Sequence, residues 1–191
     1  HCHGVSRRDF LGATSASLVT ASLWGSWPSA AQGAFAKIRQ QGPAATFVPT
    51  VKACFVRRQG DYGMRWPGAI YDGEAARKKY TAQLNESAAA LKIKLDLRPE
   101  PIYSLAEGEQ WLAEAKAKKV DGLMVVLLDR QEHSWPTANM AIDSLIPTVV
   151  FSPVGSSFTV NTAAPSLKEG CFIASTDDFR QARYGLKMLG T

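Results

Sequence analysis

The sequence predicts an α/β protein with a doubly wound, mostly parallel sheet of about five strands. Three observations lead to this fold class. Short apolar segments alternate with helical patterns along most of the chain. The segment 123–128 contains only apolar residues and then ends in charged ones, as strands buried on both faces do. The length of 191 residues suffices for one domain with a full core.

The first strand and the first helix are the most clearly marked elements. Residues 51–56 are mainly apolar and lead into the charged segment RRQGDY at 57–62. Apolar or small residues then recur every three or four positions from Ala76 to Leu91, which predicts an amphipathic helix. Asp72 precedes this pattern as its N-cap. The helix is therefore expected to connect two parallel strands.

The second strand differs from the first because one of its faces is more polar. Residues 93–97 alternate apolar and polar side chains, which predicts a strand at the edge of the sheet. Ser104 and Glu107 then have the spacing of a capping box, so a second helix is expected to begin there. The apolar strand at 123–128 follows that helix.

The alternation continues to the end of the chain. Pro136 suits the first turn of a third helix, and residues 146–151 predict the next strand. A long polar segment precedes a short strand at 171–174, and residues 176–178 are expected to cap a final helix through Leu189. With the second strand at the edge, the predicted strand order is 2-1-3-4-5, as in flavodoxin-like and related Rossmann-like sheets.

The N-terminal residues resemble a twin-arginine export signal. Residues 6–11, SRRDFL, match its pattern of serine, two arginines, a variable residue, phenylalanine and leucine. Arg7 and Arg8 are the arginine pair, and an uncharged stretch rich in small residues follows. A small-x-small cleavage pattern ends at Ala36, and residues 29–31 are the second choice. The resemblance implies recognition by the twin-arginine export machinery and location in the periplasm or cell envelope.

This leader divides the chain into three parts. We expect a signal peptide over 1–36, a linker over 37–50 and one α/β domain over 51–191. The chain starts without Met and stops directly after a helical pattern. It is therefore treated as a possible fragment of a larger protein.

Charge and cysteine content argue against some classes of function. The formal net charge is +5, but Lys and Arg are scattered among Asp and Glu rather than forming a basic stripe with aromatic residues. A nucleic-acid partner is therefore not expected. Cys54 and Cys171 lie within apolar strand patterns, where free cysteines act as small hydrophobic residues. The sequence does not decide whether they form a disulfide, because an oxidising compartment would permit one.

Charged or hydroxyl-bearing residues follow every predicted strand. Because the carboxyl ends of parallel strands share one sheet edge, these residues are expected to converge there, where open α/β sheets bind ligands. Planar polar groups suit the paired hydroxyls of a sugar, and aromatic faces suit its C–H surface. The predicted ligand-binding residues are Arg58, Asp61, Tyr62, Trp66, Glu100, Asp129, Arg130, Glu132, His133, Trp135, Ser156 and Ser157. The alternative is that the tryptophans belong to the core and the charges form a solvated rim.

His133 is the only histidine that follows the leader. It has the chemistry of a general acid or base, but a histidine at a helix start also forms local hydrogen bonds. One histidine cannot supply a multi-histidine metal site. Gly155 and the serines after it suggest a backbone cradle for an anion or a hydroxyl, yet no P-loop, G-x-G-x-x-G or G-x-S-x-G motif occurs. No residue is assigned a catalytic role.

Two strands and the segment between them carry a resemblance to known families. The string DGLMVV at 121–126 is followed by a loop, a helix and IPTVV at 146–150. This arrangement resembles type I periplasmic sugar-binding proteins and, equally, the N-terminal domain of L-fucose and L-arabinose isomerases. The long segment SPVGSSFT at 152–159 favours the isomerase side. So does YDGE at 71–74, which lacks the aromatic-rich opening of ribose or galactose binders.

The resemblance implies an exported carbohydrate-binding domain, the accessory N-terminal part of an isomerase-like protein. In the isomerases the residues that hold the divalent metal lie mostly in later domains, so the resemblance implies Mn²⁺ or a similar ion in a longer protein and no cofactor in this segment. Aldose–ketose isomerisation is then not expected from this segment alone. The twin-arginine leader departs from the family, whose familiar members are cytoplasmic. A periplasmic sugar-binding protein for transport or sensing is the alternative, and homo-oligomerisation stays open.

Overall fold

The computed structural model describes residues 46–60, 62–63, 70–130 and 132–190. Strands and helices alternate along these ranges, as predicted. The elements are β1 (Thr50–Val56), β2 (Tyr62–Gly63), β3 (Ile70–Tyr71), α1 (Gly73–Leu91), β4 (Lys94–Leu97), α2 (Leu105–Lys118), β5 (Gly122–Leu127), α3 (Ser134–Asp143), β6 (Thr148–Phe151), α4 (Thr159–Thr162), a 3-10 helix (Pro165–Leu167), β7 (Cys171–Ala174) and α5 (Arg180–Met188).

Five of the strands form one parallel sheet in the order β4-β1-β5-β6-β7. In chain order this is 2-1-3-4-5, so the predicted doubly wound, Rossmann-like sheet and its strand order are confirmed. The alternating strand at 93–97 does lie at the edge, as β4. Parallel pairing places all five carboxyl ends along the same side of the sheet, as expected.

Two hydrophobic clusters lie on opposite faces of the sheet. Along β1, Val51, Ala53 and Phe55 join one cluster, while Cys54 and Val56 join the other. This alternation follows from the period of two in a strand. Helices α1 and α5 cover the first face, and helices α2 and α3 cover the second.

The two faces carry different aromatic residues. On the α1–α5 side, the ring centroid of Phe151 lies 5.0 Å from that of Tyr80 and 4.8 Å from that of Phe179, both in edge-on geometry. Trp111 and Trp135 are buried on the α2–α3 side. Each layer therefore has its own aromatic centre.

Side chains cap two helices as the sequence predicts. The Asp72 carboxylate accepts a 2.8 Å hydrogen bond from the backbone N–H of Ala75 at the start of α1. The Ser104 hydroxyl accepts one of 3.3 Å from the N–H of Glu107 at the start of α2. Both bonds satisfy N–H groups that have no partner within the helix.

The last helix begins later than predicted. Helix α5 starts at Arg180, and its N-cap residue, Phe179, is 2% exposed and packs into the core instead of supplying a capping side chain. Asp178 still accepts a hydrogen bond from the Arg180 N–H, at 3.1 Å. Asp177 instead accepts one from the Val154 N–H, at 2.9 Å, and so links the segments after β7 and β6.

Four short elements lie outside the predicted pattern. The antiparallel pair of β2 and β3 falls between the first strand and helix α1. Helix α4 and the 3-10 helix lie within the polar segment before β7. Strands of two residues and helices of about one turn are too short to show a hydrophobic period, which explains why the sequence pattern does not reveal them.

The two cysteines that the structure describes are both free. Cys54 lies in β1 and Cys171 in β7, with β5 and β6 between them. Three strand spacings of about 4.8 Å place their backbones roughly 14 Å apart, well beyond the roughly 7 Å that a disulfide spans. The Cys54–Cys171 disulfide that the sequence left open is therefore excluded by the fold.

Candidate ligand site at the switch point of the sheet

The connections that follow β1 and β5 run in opposite directions from the centre of the sheet. Strand β1 leads through α1 to β4 on one side, whereas β5 leads through α3 to β6 on the other. Neighbouring strands whose connections run in opposite directions leave a crevice between their ends, which is where open α/β sheets bind ligands. Arg57 and Arg58 follow β1 at this point, and Leu128 and Asp129 follow β5.

An ion pair joins the two strand ends. Arg58 Nε lies 2.7 Å from Asp129 Oδ2, with 25% of the Arg58 side chain exposed against 1% of the Asp129 side chain. Asp129 Oδ1 accepts a 2.7 Å hydrogen bond from the backbone N–H of Arg130. Asp129 therefore holds both the Arg58 side chain and the start of the next loop, and Arg58 is the partner that reaches the surface.

Tyr62 lies beside this ion pair. The Arg58 guanidinium carbon is 4.9 Å from the centroid of the Tyr62 ring, a cation–π distance. The Tyr62 hydroxyl donates a 2.6 Å hydrogen bond to the Leu128 carbonyl oxygen. Burial raises the pKa of Tyr62 to about 12, so the phenol is a donor at neutral pH. We refer to Arg58, Tyr62 and Asp129 together as the switch crevice.

A second charged group at the end of β1 was missed by the sequence analysis. Glu74 pairs with Arg57 at 2.7 Å and with Arg77 at 2.9 Å. A Cβ atom on Gly73 would lie 2.8 Å from Arg57 Nη1 and 3.1 Å from the Tyr62 hydroxyl, so the absent side chain leaves room for both groups. Gly73 and Glu74 directly follow the N-cap Asp72. Because the start of α1 faces this sheet edge, their position in the sequence was the signal from which this pair could have been predicted.

His133 is buried, with 7% of its surface exposed. Its Nε2 atom lies 3.2 Å from the carbonyl oxygen of Ile102, which can only accept, so Nε2 carries the proton of this hydrogen bond. Nδ1 is 4.0 Å from the Glu132 carboxylate, whose side chain is mostly exposed. His133 thus joins α3 to the segment before α2, which is the local role that the sequence left open. A ligand-binding role for His133 and Glu132 stays a prediction.

Trp135 and Ser156 lie within the packed interior. The Trp135 indole N–H donates a 2.9 Å hydrogen bond to the Ser156 carbonyl oxygen, and the ring belongs to the α2–α3 core. The Ser156 hydroxyl donates to the Pro153 carbonyl at 2.8 Å and lies 2.7 Å from the Ser152 hydroxyl. These contacts favour a structural role for both residues, the alternative considered for Trp135 above.

An open pocket of about 370 Å³ lies next to the loops that follow β6 and β7. We call it the β6–β7 pocket; its lining residues are Val154, Gly155, Ser157, Phe158, Thr159, Thr162 and Ser175. The hydroxyl oxygens of Ser157 and Ser175 lie 3.3 Å apart. The Arg130 guanidinium carbon lies 4.8 Å from the centroid of the Phe158 ring. Of the predicted site residues, Ser157 therefore lines this pocket, and Arg130 contacts its lining residue Phe158.

Among the predicted residues not yet discussed, Glu100 is described by the structure and joins neither group. Glu100 is exposed, and its backbone carbonyl accepts a 2.9 Å hydrogen bond from Arg98, which also pairs with Glu107 at 2.7 Å. Asp61, Trp66 and the leader residues Arg7 and Arg8 lie outside the described residues. The structure thus brings together Arg58, Tyr62 and Asp129, whereas Ser157 lines the β6–β7 pocket and Arg130 contacts Phe158 of that pocket.

Neither a membrane-spanning helix nor a metal cluster is found in the part of the chain that the structure describes. No helix there is long and apolar enough to cross a bilayer. No group of three or more His, Cys, Asp or Glu side chains within the same ranges is placed to hold a metal ion.

No protein-family model, curated protein or solved structure matches this chain. The fold class rests on the strand order and the packing described above. The likeness to the isomerase domain rests only on the residues quoted for it and is a hypothesis.

Proposed function

We propose that this domain binds a small polyhydroxylated ligand of the sugar class in the switch crevice. The observation that carries the proposal is the position of the Arg58–Asp129 ion pair at the point where the strand connections diverge. Ligands of doubly wound sheets bind at such points. A guanidinium held in one orientation offers parallel N–H groups to neighbouring hydroxyls.

The two partners of the ion pair contribute differently. Asp129 is almost fully buried, so it positions Arg58 instead of touching a ligand itself. Arg58 is one-quarter exposed and lies on the Tyr62 ring, which limits the orientations of its guanidinium. Fewer free rotamers mean a smaller loss of entropy when a ligand binds.

The biological setting of this site is also proposed. The residues at 6–11 support export, and the segments at 121–126 and 146–150 support an accessory domain of an isomerase-like protein. A transport or sensing protein is the second hypothesis, and it would require another lobe and a hinge. Both hypotheses place a sugar at the same sheet edge.

Isothermal titration calorimetry on the purified chain tests the proposal. The probes are pentoses, hexoses, deoxyhexoses and their acid forms, added to the wild type and to Arg58→Ala. Loss of a charge-assisted hydrogen bond is expected to weaken binding about tenfold or more. Binding of a sugar to the wild type with that loss in Arg58→Ala supports the site.

Arg98→Ala is the matched control for this experiment. Arg98 follows β4, pairs with Glu107 at the same 2.7 Å and has a side chain that is 23% exposed, but it lies away from the crevice. We expect the sugar affinity of Arg98→Ala to stay within about twofold of that of the wild type, because surface ion pairs contribute little to stability. Equal affinities in both variants, or no binding of any probe to folded wild-type protein, would contradict the proposal.

A further inference from the structure

The charges at this sheet edge are unequal among the described residues. Glu74 is the shared carboxylate partner of Arg57 and Arg77, and Asp129 is the partner of Arg58. Arg130 is half-buried, and no carboxylate of the described residues pairs with it. A partly desolvated guanidinium without a counter-ion attracts an anion more strongly than a fully solvated one.

Arg130 lies between the two groups of site residues. Its backbone N–H is bonded to Asp129 of the switch crevice. Its guanidinium lies against the Phe158 ring, which lines the β6–β7 pocket. A ligand that reaches from the crevice towards that pocket would therefore pass this cation.

The β6–β7 pocket supplies hydrogen-bond donors next to the Arg130–Phe158 pair. Four hydroxyl-bearing residues line it, Ser157, Thr159, Thr162 and Ser175. The Thr162 hydroxyl donates to the Thr159 carbonyl oxygen at 3.4 Å, so the other three residues supply the available hydroxyl groups. Gly155, at φ +101°, also contributes to its wall. The backbone N–H groups of Gly155 and Ser157 have no acceptor among the described residues. Clustered N–H and O–H donors beside a cation match the hydrogen-bonding needs of an anionic oxygen group.

We propose that the ligand is an anionic sugar, with its carboxylate or phosphate group held by Arg130 at the mouth of the β6–β7 pocket. This inference rests on the proposed function, because the sugar hydroxyls are assigned to the switch crevice. Arg130 then determines specificity for acid forms over neutral ones. The Phe158 ring positions the guanidinium, as a stacked aromatic side chain does.

The test compares neutral and anionic probes that share one sugar ring. Calorimetry on the full chain uses D-glucose, D-glucuronate, D-glucose 6-phosphate and inorganic phosphate at low ionic strength, with D-galactose and D-galacturonate as a second pair. We expect one anionic form to bind at least about tenfold more tightly than its neutral partner. Comparison of glucuronate with glucose 6-phosphate identifies the carboxylate or the phosphate as the preferred group.

Three variants assign the effect to its residues. Arg130→Ala should reduce the preference for the anionic form to below about threefold, with the affinity for the neutral sugar unchanged. Phe158→Leu, at a side chain that is 57% exposed, should reduce it in part without affecting folding. Arg183→Ala is the matched control, because Arg183 is also half-buried, lines another open pocket and has no carboxylate partner among the described residues.

Each other outcome overturns the inference in a distinguishable way. If neutral sugars bind as tightly as anionic ones, the inference of an anionic ligand is wrong, but the proposed sugar-binding function is unaffected. A preference that survives in Arg130→Ala, or is lost equally in Arg183→Ala, removes the assignment to Arg130. Inorganic phosphate that binds as tightly as glucose 6-phosphate indicates a free-anion site instead. No binding by any of these sugars, or by the wider panel above, removes both proposals.

Discussion

The Tyr62 hydroxyl donates a hydrogen bond of 2.6 Å to the carbonyl oxygen of Leu128. This bond ties the short β2 strand to the residue that follows β5. Leu128 directly precedes Asp129, so the same bond restrains the backbone from which Asp129 reaches Arg58. The geometry of the switch crevice therefore depends on a residue from a segment that pairs with neither β1 nor β5.

Tyr62→Phe is expected to lower the free energy of unfolding by about 1–2 kcal/mol. The substitution leaves the Leu128 carbonyl without its donor in a buried position. Urea denaturation measures the change. A loss below about 0.5 kcal/mol would show that water replaces the hydroxyl at little cost.

The same tyrosine should make stability depend on alkaline pH. Burial raises the pKa of Tyr62 from 10 to about 12, so the folded state favours the protonated phenol. The resulting stabilisation is fully present below pH 10 and is lost as the pH rises through about 12. The wild type should therefore lose more stability over this interval than Tyr62→Phe does. Parallel curves of unfolding free energy against pH would contradict this expectation.

Asp129→Ala should be among the more damaging substitutions in the domain. It removes the buried carboxylate that pairs with the Arg58 guanidinium and accepts from the Arg130 N–H, at an expected cost of about 3 kcal/mol. Asp143→Ala is the control, because Asp143 pairs with Lys168 on the surface and should change stability by less than about 1 kcal/mol. Chemical denaturation of both variants gives the comparison. Similar losses of unfolding free energy in the two variants would show that burial does not determine how much the Asp129–Arg58 ion pair stabilises the domain.

Gly185→Ala should destabilise the domain although alanine favours helices. A Cβ atom on Gly185 would lie 2.6 Å from the Phe172 ring and 3.0 Å from a methyl group of Val149. Overpacking of this kind costs about 1–3 kcal/mol, more than the roughly 1 kcal/mol that alanine gains in helix propensity. Thermal unfolding tests this against Gln181→Ala on the exposed side of α5, which should be close to neutral. A more stable Gly185→Ala protein would mean that the Phe172 ring moves aside freely.

The two described cysteines should react with alkylating agents at different stages. Burial raises the pKa of both thiols, but Cys54 is fully buried and Cys171 only half-buried. Peptide mass spectrometry after iodoacetamide treatment should find Cys171 modified slowly in the folded protein and Cys54 only after denaturation. A disulfide-linked peptide pair from Cys54 and Cys171 would contradict the fold itself.

Much of the fold could be predicted because a few residues carry strong patterns. Lys94 and Asp96 alternate with leucines, and this two-faced character was enough to place β4 at the edge and so to order the sheet. The capping residues Asp72 and Ser104 form local bonds that depend only on neighbours in the chain. Local signals of this kind persist in the folded structure.

The arrangement of the site was less predictable, because it depends on contacts between distant segments. Asp129 meets Arg58 because β1 pairs with β5. No local sequence pattern predicts that pairing. Trp135 follows a charged segment, yet tertiary packing turns its ring into the core. Arg57 and Glu74 were passed over because each belongs to an ordinary charged stretch until the start of α1 is brought against β1.

The separation of aromatic residues between the two layers determines what spectroscopy can observe. Trp111 and Trp135 both lie on the α2–α3 side, whereas Tyr80, Phe151 and Phe179 lie on the α1–α5 side. In a variant with Trp24, Trp27 and Trp66 replaced by Phe, emission from these two tryptophans therefore reports on one half of the interior. If α1 and α5 detached first as a separate cooperative unit, that emission would change little while circular dichroism already recorded the loss of helix. If the unfolding transitions followed by tryptophan emission and by circular dichroism do not coincide, the two helical layers unfold separately.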